Sequence, residues 1–196
     1  MPCGGRVHKT YEEGAQMKLS KVKSLCTAAG RADLVVETNE YGDIRRQWIS
    51  NGEGMWVITG MPTIGTDNLP TILGLSAKQT EKMRIGLQPF AEDMDGGDYD
   101  ANDVVLTPAP CSIISRGAEY LLLTGAGKTL TVYKALLTPV WTEETQLVLR
   151  TRPTYGTPYI VILDGFFVSG IVAPVTGSIL SKQDAAAIRG LIGNAD

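Results

Sequence analysis

The chain has 196 residues, 43% of them hydrophobic and 20% charged, a balance close to the globular average and enough length to bury a core without staples. No apolar run reaches the ~18 residues of a membrane-spanning helix. The three cysteines, Cys3, Cys26 and Cys111, lie far apart and in no CxxC or zinc spacing, which excludes a disulfide framework and reads as reduced thiols.

Residues 1–15 carry no apolar periodicity and no apolar signal core, so they read as a flexible tail of a cytoplasmic chain. From residue 17 to 29 the apolar positions Leu19, Val22, Leu25, Cys26 and Ala29 recur at helical steps and end at Gly30, predicting an amphipathic helix. Lys18, Lys21 and Lys23 fall mostly away from that apolar face. Three strands are predicted next, at 33–38, 44–50 and 54–59, an antiparallel meander. Asn51-Gly52 marks its second turn, because both residues tolerate positive φ. Trp48 and Trp56 flank that turn and read as a packed cross-strand pair.

Two short helices are expected at 66–75 and 76–85, the second capped by Ser76. Strands are expected at 103–107, 111–115, 119–124, 128–137, 145–151, 158–164 and 166–175. The chain closes with a capping-box pattern, Ser181 and Asp184, ahead of an apolar helical face at Ile188, Leu191 and Ile192. The fold class is α+β, mainly antiparallel sheet, with a helix at each end and short helices in the middle. Residues 16–196 read as one domain, with a sub-division near 86–103.

Gly127-Lys128-Thr129 has the ending of a phosphate-binding P-loop. The motif asks for glycine five residues before Gly127, where Leu122 stands, and for a helix after the lysine, where β-branched and aromatic residues follow. Gly125-Ala126-Gly127 is therefore a hairpin turn between two strands.

Six carboxylates, Glu92, Asp93, Asp95, Asp98, Asp100 and Asp103, fall within residues 92–103 without one basic residue. Such a loop is extended in solvent, neutralised by a cation, or offered to a partner. Asp98, Asp100, Asn102 and Asp103 are its candidate calcium ligands. The first three resemble the start of an EF-hand loop, but Asp103 stands where glycine is required and Ala109 where a bidentate glutamate is required. The tract also resembles an acidic signature of secreted bacterial β-rich domains, which implies calcium as the one candidate cofactor.

No catalytic residue is assigned and no enzyme activity is expected. The single histidine, His8, lies in the tail; Cys26 sits on the apolar helix face, and Cys111 has no base near it in sequence. Trp48, Trp56, Trp141, Tyr41 and Tyr99 offer rings for base stacking. Lys18, Lys21, Lys23, Arg45 and Arg46 form the candidate phosphate-contacting set for DNA.

Residues 45–64, with Trp48, Ile49, Ser50, Asn51, Gly52, Trp56, Met61 and Pro62, resemble uncharacterised proteins of bacterial prophages, and the closing run 168–191 is similar to the ends of such proteins. The resemblance covers about a third of the chain and implies a non-catalytic binding or regulatory protein working through protein–protein contacts. A second, slighter likeness, of helix followed by meander, is to DNA sliding clamps; it implies a DNA replication accessory role for the basic set. Residues 159–175 are apolar at nearly every position, so that strand pair is either buried on both faces or pairs with another copy, and a homo-oligomer is expected on that ground.

Overall fold

The computed structural model describes residues 17–176. Its architecture is a mixed α/β fold dominated by one ten-stranded, mostly antiparallel sheet, with few and short helices. The expected flexible tail and the helix after Ser181 lie outside the described residues.

Helix α1 (Leu19–Ala29) buries Val22, Leu25 and Cys26 and stops at Gly30, whose φ of 64° lets its N–H reach the carbonyls of Cys26 and Thr27. Strands β1 (Arg31–Thr38), β2 (Ile44–Ser50) and β3 (Gly54–Val57) form the antiparallel meander read from the sequence. Its second turn differs from the expected two-residue form. Asn51 keeps an ordinary φ and acts through its side chain, Oδ1 accepting from the N–H groups of Glu53 (3.1 Å) and Gly54 (2.8 Å). Only Gly52 takes positive φ, 94°.

The two tryptophans are not a cross-strand pair. Ile49 lies opposite Trp56, and Trp48 opposite Val57. With Ser50 opposite Met55 the register pairs odd positions with even ones, so two even-numbered residues must point to opposite faces. Both rings are fully buried, in two different clusters.

A 3₁₀ turn (Thr66–Asn68) and helices α2 (Leu69–Ile72) and α3 (Ala77–Glu81) follow. Ser76 caps α3 in a reciprocal box with Gln79. The helical reading of 76–85 overran. Arg84–Pro89 is strand β4, and it pairs with β1 in parallel, the only parallel pair among the described residues. Gly86 makes this possible, since a Cβ there would stand 2.6 Å from Asp33 Oδ1.

Strand β5 (Val104–Ser115) is continuous where two strands were expected. The register shifts between Pro108 and Ser112, across prolines that lack an N–H for the ladder. Strands β6 (Ala118–Gly125) and β7 (Lys128–Tyr133) form the hairpin that replaces the P-loop, with Ala126 and Gly127 both at positive φ. A 3₁₀ turn (Lys134–Leu136) ends β7 sooner than expected. Strands β8 (Thr145–Thr151), β9 (Pro158–Asp164) and β10 (Phe167–Val172) complete the order β4-β1-β2-β3-β10-β9-β8-β5-β6-β7.

The sheet curls until β7 returns towards β3 and the end of β10. Trp56 Nε1 donates to Leu136 O at 3.0 Å, and Val175 N to Thr131 O at 2.7 Å. The larger core fills the curl: Leu34, Ile49, Trp56, Leu106, Leu123, Val132, Leu147, Ile160 and Ile162, closed by α1 and by Leu136, Leu137 and Val140. A second core lies on the other face: Val35, Trp48, Val57, Val148, Tyr159, Val161, Leu163, Val168 and Ile171, with Phe90 and Met94 packed on it. Residues 159–163 are therefore apolar throughout because one chain covers both their faces. That removes the ground on which a second copy was expected there.

Candidate binding surfaces

The acidic segment is a strap over the second core. It must pass from β4 at one end of the sheet to β5, seven strand positions away. At ~4.8 Å per strand that is roughly 34 Å, within reach of residues 90–103 at ~3.3 Å each. Phe90 lies against Trp48, ring centroids 5.5 Å apart, and Met94 reaches the same core.

Arginines of the sheet neutralise the strap, and Arg150 is the centre. Its Nε donates to Asp103 Oδ1 (2.7 Å) and its Nη2 to Asp103 Oδ2 (2.6 Å), a two-pronged pair between side chains that are 7% and 5% exposed. The remaining donors reach the carbonyls of Asp95 (3.2 Å), Gly97 (2.7 Å) and Asp98 (2.9 Å). All five guanidinium N–H groups thus have partners. Arg152 grips Asp93 through Nε and Nη2. Arg46 Nη1 donates to Gly96 O at 2.6 Å and Nη2 lies 3.4 Å from Asp98 Oδ1, while its guanidinium sits over Trp48.

These contacts set the electrostatics. Burial pushes the Asp103 carboxyl up, but the Arg150 hydrogen bonds, the Asp100 N–H and the Arg150 charge outweigh it, and the carboxyl ends below its ordinary range. The Arg152 hydrogen bonds hold Asp93 below that range as well. Burial raises the Tyr159 phenol, which accepts from Asp95 N at 2.9 Å.

The four candidate calcium ligands are placed as follows. Asp103 is committed to Arg150; Asp98 Oδ1 accepts from Val168 N (3.1 Å) besides Arg46; Asp100 Oδ1 accepts from the backbone and side chain of Asn102 (2.7 and 2.9 Å). Among the described residues, no group of three or more His, Cys, Asp or Glu is arranged to hold a metal ion.

The five basic candidates are not brought to one surface. Lys18, Lys21 and Lys23 belong to the start of α1, over the larger core, whereas Arg46 shares the other face with Trp48. Arg45 pairs with Glu37 at 3.2 Å, and Lys23 Nζ donates to Gly74 O. Of the candidate stacking rings, Trp48 and Trp56 are fully buried; Tyr41 and Tyr99 are exposed.

The structure adds a site that sequence reasoning missed. A groove of about 500 Å³ opens between α1, the β5–β6 pair and the segment after β7. Leu121, Leu137, Pro108 and Trp141 give it apolar walls, and Lys18, Lys21 and Lys134 stand around it. Lys18 Nζ donates to Trp141 O at 3.2 Å, and Lys134 is held by Glu119 at 2.8 and 2.9 Å. The signal in the sequence was weak: a lone Trp141 after Pro139, more than a hundred residues from the lysines. No protein-family model matches the chain, and no curated protein and no solved structure shows significant similarity to it. No described helix is long and apolar enough to cross a membrane.

Proposed function

We propose that this protein is a non-catalytic binding protein that works through protein–protein contacts, and that the groove beside Trp141 is where an acidic segment with apolar anchors docks. The single observation that carries the reading is the make-up of that groove: apolar walls next to a cationic rim. An apolar wall takes aliphatic or aromatic anchors, and the ammonium groups favour carboxylates flanking them. The lining supports binding over chemistry. Its one hydroxyl, on Thr138, is donated to Ala135 O at 2.8 Å. The resemblance of residues 45–64 to prophage proteins supports a setting in the cytoplasm of a bacterial host. The DNA-accessory reading ranks second, since Lys18 and Lys21 lie on one face of the sheet and Arg46 on the other.

Trp141 emission tests the proposal, because Trp48 and Trp56 are sealed in the cores. A short synthetic peptide with Phe and Leu anchors flanked by Asp and Glu is titrated against its lysine-flanked counterpart. Saturable change with the acidic peptide alone, weakened by salt and abolished by Leu121→Glu, is the expected result. Equal response to both peptides, or none to either, at a concentration where sedimentation shows the chain as a monomer, refutes it.

A further inference from the structure

The apolar run 159–175 divides in two. Tyr159–Leu163 is sealed on both faces within the chain, but Phe166 and Phe167, at the turn between β9 and β10, remain 71% and 70% exposed. Tyr99 from the strap joins them, 41% exposed, its ring edge-on to Phe166 with centroids 6.0 Å apart and its N–H donating to Phe166 O at 2.9 Å. The Tyr99–Phe166 ring pair, with Phe167 exposed next to it in the chain, is a candidate contact surface. This knob is also stiff. Asp98 accepts from Val168 N at its base, and Arg150 holds the carbonyls of Gly97 and Asp98 just before Tyr99. Side chains presented in a fixed pose lose little freedom on binding.

Knob and groove match in chemistry. Asp98 and Asp100 flank Tyr99, and although Asp98 pairs with Arg46, the strap keeps six carboxylates between Glu92 and Asp103 against the three arginines beneath it, so the rings sit beside an acidic surface. The groove sets apolar walls among Lys18, Lys21 and Lys134. They also lie at the same end of the sheet. Phe167 is opposite Asp164, Asp164 is opposite Thr145, and Thr145 follows the groove's Trp141 by four residues; Pro108 lies two residues past the Leu106–Leu147 pair on the next strand.

We propose that two copies of this chain associate about a two-fold axis, the Phe166–Phe167 knob of each seated in the lysine-rimmed groove of the other. The proposal rests on the groove reading above and names its partner. A two-fold arrangement makes the same contact twice and closes, leaving no unfilled groove to propagate a fibre. With aromatic side chains of 150–250 Å² each, the six rings of the paired contacts supply at most roughly 900–1,500 Å², which reaches the lower end of a specific interface.

Sedimentation of the full chain across the micromolar range tests this. The wild type is expected to dimerise, with weaker association at high salt. Phe166→Asp/Phe167→Asp, at two exposed positions, is expected to raise the dimer dissociation constant at least tenfold with the fold intact by circular dichroism. Lys18→Glu/Lys21→Glu is expected to do the same from the other side. Mixing these two variants restores part of the association, since one of the two contacts is then whole. A wild type that stays monomeric throughout, or a dimer indifferent to the phenylalanine changes, overturns the proposal. The Trp141 titration separates the two readings: a monomer whose groove still takes the acidic peptide sinks self-association alone, and a monomer whose groove takes no peptide sinks both.

Discussion

Arg150 on β8 and Asp103 at the end of the strap face each other as fork to fork, at 2.7 and 2.6 Å, and the same guanidinium gathers three strap carbonyls. One side chain thereby joins the acidic segment to the sheet. Replacing Arg150 by Met strands the Asp103 carboxylate and those carbonyls, and is expected to cost about 3–5 kcal/mol of stability. Arg150→Lys recovers little of it, since an ammonium cannot match the planar fork. Urea denaturation of both variants checks this, and a loss below about 1 kcal/mol for Arg150→Met would mean the strap does not depend on the pair.

The same pair sets the response to acid. Asp103 and Asp93 are held below the ordinary carboxylate range in the folded chain. Unfolded aspartates protonate near pH ~3.9, so the unfolded state takes up protons first as pH falls. The stabilisation is therefore complete above that value and is lost as pH drops through the lower, folded values. Denaturation midpoints are expected to hold from neutral pH to about pH 4–5 and fall steeply below. Asp103→Asn starts less stable and shows a shallower acid slope; an unchanged slope would detach Asp103 from it.

Added calcium is expected to leave the thermal midpoint where EDTA leaves it, because a cation would have to displace Arg150 from Asp103 and Arg46 from Asp98. A ligand that binds only the folded chain raises the midpoint by linkage. A clear rise with calcium would restore Asp98, Asp100, Asn102 and Asp103 as a metal site.

The described thiols should differ in reactivity. Cys26 is buried on α1; burial, and secondarily the charge of Asp33, push its thiol up to about 12, while Cys111 is exposed on β5. In a Cys3→Ser background, a thiol-reactive dye is expected to label Cys111 promptly and Cys26 only on unfolding. Equal rates under native conditions would mean that α1 opens readily.

Gly86→Ala tests the parallel edge. The new Cβ would meet Asp33 Oδ1, on a side chain only 1% exposed and so unable to swing away. A loss of about 1–3 kcal/mol is expected. A neutral result would show that β4 shifts on β1 without cost.

Much of this was legible in local sequence. The bounds of β2, β8 and β9 follow from β-branched residues between polar or turn positions, and Gly30 and Ser76 mark helix boundaries through their own backbone and side-chain chemistry. Each signal needs only neighbours within a few residues. The same window misplaced β4, whose partner β1 lies some fifty residues earlier, and it read Trp48 and Trp56 as a pair although loop parity sends them apart. The acidic run was plain as composition, but its meaning was not. Six carboxylates look solvated or metal-bound until the curl of the sheet carries Arg46, Arg150 and Arg152 beneath them. The groove was hidden for the same reason, since Lys18 and Trp141 meet across 123 positions. Side-chain alternation and turn chemistry are properties of adjacent residues and the chain alone determines them. Which charge faces which, and which apolar wall is left uncovered, are decided when distant strands choose their order in the sheet.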